Sequence, residues 1–199
     1  MSRRILIACE FSGSVRDAFN EQGYDATSCD LFDSVSPGPH YKGDVRNILN
    51  DGWDMMIAHP PCKHLCISGR AHWAKKQELQ QEAIDFVREL MAAPIPHIAI
   101  ENSVGILSTV IRKPDQIVHP YQFGDPYPKA TCWWLKNLPL LHPTEIVEIP
   151  PENEKYIYRL IGKDSMVASL TPKGMASAMA DQWGAWTSVQ RELFEVRDA

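Results

Sequence analysis

The stretch Arg4-Ile-Leu-Ile-Ala8-Cys9-Glu10-Phe11-Ser12-Gly13-Ser14 decides how this chain reads. Its first half is a short apolar run without period, the pattern of a strand buried on both faces of a parallel sheet. Its second half is a polar turn with one glycine. Beyond it, Val15, Ala18, Phe19 and Gln22 recur at helical spacing up to Gly23, with Ser12 or Ser14 placed to cap the helix. Residues 24–30 form a second strand that ends in an acid. Strand, turn, helix and strand make a βαβ unit with a right-handed crossover, and the pattern then repeats. Residues 53–58 are a buried run broken by His59-Pro60-Pro61-Cys62. Over residues 75–91, Leu79, Ala83, Phe86, Val87, Leu90 and Met91 line one stripe opposite Gln, Glu and Lys. Residues 97–100 return as a strand that ends at Glu101-Asn102.

Around these units lie a rigid loop, Ser36-Pro-Gly-Pro39, and a short helix from Gly43-Asp44-Val45 to Asn50. Residues 116–121, 130–135 and 144–149 read as further strands, and Thr171-Pro172 as a helix start continued by Met175, Ala178, Met179, Gln182 and Trp186. Trp133-Trp134 reads as core, with strand alternation expected to leave one ring partly exposed. The expected fold is α/β, a mostly parallel twisted sheet in one domain over residues 1–199.

Composition narrows the function classes. A chain of 199 residues buries a sizeable core without disulfides or metals. Hydrophobic residues at 44% and charged residues at 23% exclude a disordered chain. No apolar run approaches the roughly 18 residues of a membrane span, so no membrane role is expected. The start, Met1-Ser-Arg-Arg4, is too brief for a secretion signal. Five cysteines, an odd count without framework spacing, point to reduced thiols in a cytoplasm. A net charge of −5 argues against a broad nucleic-acid footprint but leaves room for a local basic groove.

An open parallel sheet binds ligands beyond the carboxyl ends of its strands. Glu10–Gly13, Asp30, Asp44 and the His59–Cys62 loop all fall at such ends. Asp30 lies 17 residues after Gly13, close to the roughly 20 at which an acid meets a ribose diol. With one glycine instead of three, the turn suits an adenosine without phosphate better than a pyrophosphate, and Asp44 is available to an adenine amino group. The plain alternative is a simple turn with two solvated acids. Cys62 follows two prolines that stiffen its loop. It is either a preorganised nucleophile, a small buried thiol, or one of four zinc-type ligands with His59, His64 and Cys66. That last set is crowded into eight residues and fits one tetrahedron poorly, so no metal is expected. Glu101 beside such a thiol makes a nucleophile–acid pair, and burial is expected to raise the Glu101 pKa and keep it partly protonated.

In their order and spacing, Phe11-Ser12-Gly13, Asp30-Leu31, Gly43-Asp44-Val45, Pro60-Pro61-Cys62 and Glu101-Asn102-Ser103-Val104 resemble the motif series of the cytosine C5 DNA methyltransferases. The resemblance covers about residues 4–140 and, with less of the pattern, the last helix. It implies a Rossmann-like, S-adenosylmethionine-dependent methyltransferase fold. Phe11, Ser12, Gly13, Asp30, Leu31, Asp44 and Pro60 would contact S-adenosylmethionine. Cys62 would be the nucleophile, Glu101 the acid, and Lys63, Asn102 and Lys129 substrate contacts, with Asn102 also bracing the Pro-Pro-Cys loop and Lys63 favouring the thiolate.

The chain departs from the pattern in several places. Cys9 stands where the family often has an acid, Ser14 and Val15 replace glycines, and Lys63 replaces a glutamine. The arginine-rich motif is replaced by Tyr121-Gln-Phe-Gly-Asp-Pro-Tyr-Pro-Lys129. About 30 residues separate Leu141 from Thr171, where a recognition region normally sits. The chain is thus most similar to short, phage-type members, which places it in a host cytoplasm. Residues 142–170 read as a vestigial recognition or lid segment. Further contacts to DNA are expected from His64, Arg70, His72, Lys75, Lys76, Arg112 and Lys113, with residues 68–76 and Trp73 as a lid, and a protein partner as the source of specificity. DNA cytosine is the first substrate class. A free pyrimidine nucleotide and a non-catalytic nucleic-acid- or zinc-binding module are the others.

Overall fold

The computed structural model describes residues 2–67, 77–153 and 170–186. Strand β1 (Arg4–Ala8) pairs in parallel with β2 (Asp25–Asp30) on one side and β4 (Met55–Ala58) on the other. Strand β3 (His40–Lys42) adds to β2, and β5 (His97–Ser103) adds to β4, both in parallel. Beyond β5 the sheet turns antiparallel through β7 (Thr131–Lys136), which carries β6 (Gln116–Val118) on its far side. The full order is β3-β2-β1-β4-β5-β7-β6. The chain leaves β1 in one direction and returns to start β4 on its other side. A crevice at the carboxyl ends of β1 and β4 follows from that reversal.

The two faces of the sheet carry separate cores. Ile5, Ile7, Met55, Ile57, Ala99 and Trp133 meet Val15 and Phe19 of α1 (Ser14–Glu21) and Met175, Ala178 and Met179 of α4 (Lys173–Met179). Leu6, Ala8, Met56, Ala58, Ile98 and Ile100 meet Ile84, Val87 and Leu90 of α2 (Gln77–Ala92), together with Leu107 of α3 (Leu107–Val110). Strands buried on both faces need apolar residues at every position, which is why β1 and β4 show no alternation in the sequence.

Three expectations change, and one strand is added. Both tryptophans of β7 are fully buried: alternation sends them to opposite faces, but β7 lies inside the sheet and both faces are covered. Residues 144–149 form no strand; only Glu145 makes an isolated bridge, to Phe123. The strand expected over 116–121 stops at Val118, because Pro120 has no N–H to donate and opens a tight turn, Pro120–Gln122. Strand β3 has no periodic signal at three residues and exists through its pairing with β2. The helix expected after Thr171-Pro172 is present and continues into a π-helical turn, Ala180–Gly184.

Candidate functional site

The first turn caps its own helix with an acid. Neither Ser12 nor Ser14 is the cap: Gly13 holds that position in the left-handed region, φ 80°, without a side chain to accept from the first-turn amides. Instead the buried Glu10 carboxylate accepts from the Val15 and Arg16 amides at 2.7 and 3.3 Å, and from the Ser12 hydroxyl at 3.0 Å. A negative group at the positive end of a helix is where a phosphate would otherwise sit. Gly13 is also needed for space, since a Cβ there would lie 2.4 Å from Nη2 of Arg16.

Arg16, which the sequence reading passed over, is fully buried. It donates to Asp17 (2.8 Å), Ser28 (3.1 Å), Ser34 (2.9 Å) and the carbonyls of Ser36 and Pro37 (3.0 and 3.3 Å). It thereby pins the loop that follows β2, which is also tied to the first turn by Val35 N–H donating to the Phe11 carbonyl at 2.8 Å. At the head of that loop Asp30 accepts from the Phe32 amide (3.0 Å), beside Leu31 and Phe32, 68% and 62% exposed. Asp44 accepts from the Arg46 amide and guanidinium, both at 3.0 Å, and so caps the tight turn Val45–Asn47. Those bonds hold its carboxyl below the usual range.

Of the five cysteines, Cys62 is the exposed one. Burial pushes Cys29 up to about 12, Cys132 up to about 11, and Cys9 well above its ordinary value. Cys62 opens one helical turn, its carbonyl accepting from the Leu65 and Cys66 amides at 2.9 and 3.0 Å. Two ties fix that turn. Asn102, only 1% exposed, donates from its amide to the Pro60 carbonyl at 2.8 Å and so braces the loop. The second tie is the bridge from Cys66 to Gly105, flanked by Ile67 N–H to Val104 O (3.0 Å) and Ile106 N–H to Leu65 O (2.9 Å). A Cβ on Gly105 would lie 2.0 Å from the Leu65 carbonyl oxygen. Gly105→Ala is therefore expected to force the two segments apart and destabilise the protein by about 1–3 kcal/mol, measured by denaturant unfolding.

Glu101 faces the same cleft from β5. Its carboxylate is 3.5 Å from Nδ1 of His59. Burial alone pushes Glu101 up, but the hydrogen bond from His59 and the charges of Lys129 and His59 outweigh it and hold the carboxyl below its ordinary value. The expected raised pKa is thus corrected: desolvation was foreseen, the two cations were not. Lys129 reaches this place through strand register, since β7 pairs Thr131 with Ser103 and Trp133 with Glu101. The Cys62 thiol is raised, first by burial and then by Cys66 and Glu101, against a Ser103 hydrogen bond and the charge of Lys129. The cation that favours its thiolate is Lys129 and not the adjacent, exposed Lys63.

Other expected contacts separate. Arg112 pairs with Asp115 at 2.7 Å and bonds the Leu135 carbonyl at 3.1 Å, at the far end of β7 from Thr131. Arg70, His72, Trp73, Lys75 and Lys76 lie outside the described residues, as does 154–169 of the recognition or lid segment. The described part of that segment runs beside the 121–126 loop, through Val147 N–H to Tyr121 O (2.9 Å) and the Asn153 amide to Pro126 O (3.0 Å). Among the described residues no three His, Cys, Asp or Glu side chains converge to hold a metal ion. No described helix is long and apolar enough to cross a membrane.

The strand order, the antiparallel β7 and the two helical layers define the Rossmann-like fold of S-adenosylmethionine-dependent methyltransferases. No protein-family model and no curated protein matches the chain. Among solved structures it is similar to the Entamoeba histolytica methyltransferase EhMeth, with 15% identity, 74% of this chain and 58% of that one covered, and a TM-score of 0.51. It is also similar to a variant of Spodoptera frugiperda DNMT2 (15% identity, coverage 75% and 56%, TM-score 0.45) and to the S. pombe Dnmt2 methyltransferase (14%, 68% and 49%, 0.46). The chain spans about half the length of these proteins.

Proposed function

We propose that this chain is a cytosine C5 methyltransferase acting on DNA, with Cys62 as nucleophile and S-adenosylmethionine as methyl donor. The observation that carries the reading is the exposed Cys62 thiol on a proline-stiffened, doubly tied turn, with the Glu101 carboxylate and the Lys129 cation acting on it across the crevice. The first turn fits the cofactor's chemistry: Glu10 already fills the anion position at the α1 amino end, which suits an adenosine without phosphate. Phe11, Ser12, Gly13, Asp30, Leu31, Asp44 and Pro60 would hold it, Asp30 toward the ribose diol and the exposed Leu31 against the base. When bound, S-adenosylmethionine supplies an electrophilic methyl group on a sulfonium.

Carbon 5 of cytosine is a poor nucleophile while the ring is aromatic. The Cys62 thiolate adds to carbon 6, forming a C–S bond and making carbon 5 electron-rich. Glu101 grips N3 and the exocyclic amine and is the group through which N3 receives the proton that lets the ring accept the thiolate. Once carbon 5 carries the methyl group, loss of its proton expels Cys62 and restores the ring. In a duplex the base must first leave the stack, at a cost of a few kcal/mol. Lys63 and Lys129 are the basic groups beside the nucleophile that would meet the strand, and a protein partner would supply sequence specificity.

The test is trapping with S-adenosylmethionine and DNA containing 5-fluorocytosine, read by mass spectrometry. Fluorine does not leave as a cation, so the enzyme is expected to stall as a covalent Cys62 adduct. An adduct with the free nucleotide and none with DNA would move the substrate class. Absence of both adduct and cofactor binding would overturn the reading. Binding to the polymer should also weaken steeply with salt through counterion release.

A further inference from the structure

His59 is the first residue after β4, and its amide donates to the Ala8 carbonyl at 2.9 Å, which fixes it at the β1–β4 reversal. Its ring sits edge-on to Trp133, centroids 6.1 Å apart. Nδ1 faces Oε2 of Glu101 at 3.5 Å, the two side chains being only 10% and 19% exposed. Nε2 is buried and has no hydrogen-bond partner among the described residues. A buried polar atom left unpaired is costly, so a histidine that only filled space here would be a poor choice. Among the described residues the ring's polar contact is to the acid on which the proposed chemistry depends.

We infer that His59 is a positioning residue that orients Glu101 and holds the proton Glu101 delivers to N3 of cytosine. The inference rests on the reading of Cys62 and Glu101 given above. The proton count is simple. An imidazolium beside a carboxylate and an imidazole beside a carboxylic acid are both neutral overall and hold the same proton. Its passage from Nδ1 to Oε2 therefore changes no net charge in a nearly buried place. Glu101 then gives a proton to N3 as the Cys62 C–S bond forms, and His59 is left neutral with its remaining proton on Nε2. When the thiolate is expelled, N3 returns the proton to the pair. The contact is long without substrate, as catalytic hydrogen bonds commonly are before the complex closes.

The charged and titratable groups acting around this pair come from three elements. They are Lys129 and Cys132 at the start of β7, Cys62 in the proline turn, and Glu101 itself on β5. Trp133 contributes an uncharged ring. Losing His59 removes one influence that holds the Glu101 carboxyl down, but it also removes the imidazolium, whose ordinary pKa lies about two units above that of a carboxyl, so the site as a whole gives up its proton at lower pH.

The test compares the wild type with His59→Asn, which keeps a donor near Nδ1 but carries no titratable proton, and with His59→Gln. Methyl transfer to cytosine-containing DNA is followed across pH, alongside the 5-fluorocytosine adduct. At neutral pH kcat is expected to fall about 10- to 100-fold in both variants. KM should stay within about threefold, since ground-state binding is untouched. The alkaline limb of the profile should move down by about one pH unit or more, so acid restores part of the lost rate. A loss that is even at all pH values, or no loss in the variant that folds as the wild type does, overturns the inference. A wild type that forms no adduct overturns the underlying reading of the site instead, and this inference with it.

Discussion

Replacing Cys62 by alanine is expected to abolish methyl transfer, by a factor on the order of 10^5 or more. Nothing else in the crevice can make the C–S bond: Cys9, Cys29 and Cys132 are held protonated by burial. Cys66 lies one helical turn further on and is less exposed than Cys62. Stability should change by no more than about 0.5 kcal/mol, because the side chain is exposed and fills no core space. Activity assayed with labelled cofactor, alongside a thermal melt, separates the two quantities. A variant that still methylates cytosine would sink the covalent mechanism. The wild-type rate should climb as pH rises toward the raised Cys62 pKa, since the thiolate is the reactive form. That acid limb should be absent from Cys62→Ser, whose hydroxyl does not ionise there.

The second large effect is on stability. Arg16→Leu is expected to cost about 3–5 kcal/mol, because it strands buried partners that a leucine cannot serve. Ser28, Ser34 and the carbonyls of Ser36 and Pro37 would all lose their donor together. The loop after β2 hangs on these bonds, so cofactor affinity should fall with stability. Denaturant unfolding and calorimetric titration with S-adenosylmethionine read the two effects, and a stability change below about 1 kcal/mol would contradict the network. Asp17 adds a pH signature. Burial pushes its carboxyl up, but hydrogen bonds from Arg16 and Ser36 and the charge of Arg16 outweigh this and hold it below its ordinary value. A depressed folded pKa contributes stability above the unfolded value and loses it as pH falls through the folded one. Acid sensitivity in that window should therefore diminish in Arg16→Leu.

Much of this architecture was legible before any coordinates. Apolar runs at β1, β4 and β5, each ending in a polar cluster, were enough for a parallel sheet with its crevice at the carboxyl ends. The helical stripe at α2 and the proline-stiffened turn at Cys62 were equally plain. These signals are local: periodicity, proline geometry and turn chemistry act over a few residues. The errors were of another kind. Residues 144–149 have the composition of a strand but no partner strand to complete a ladder. Trp133 and Trp134 obey alternation, yet both are buried because each face of the sheet carries its own core, Trp133 entering one and Trp134 the other.

The Glu101 acidity went wrong for the same reason. Burial was inferable from its place after an apolar strand, but the opposing cations arrive from elsewhere. His59 comes from β4, 42 residues earlier in the chain, and Lys129 comes through the antiparallel register of β7. Arg16 could not be distinguished from a solvated helix residue until the loop after β2 closed on it. The α/β class and the place of the crevice were readable from contiguous residues, because apolar runs and the turns that end them are local. The groups that set the acidity of Glu101, the bracing by Asn102 and Gly105 and the burial of Arg16 came only with the folded chain, because they depend on which distant segments lie side by side.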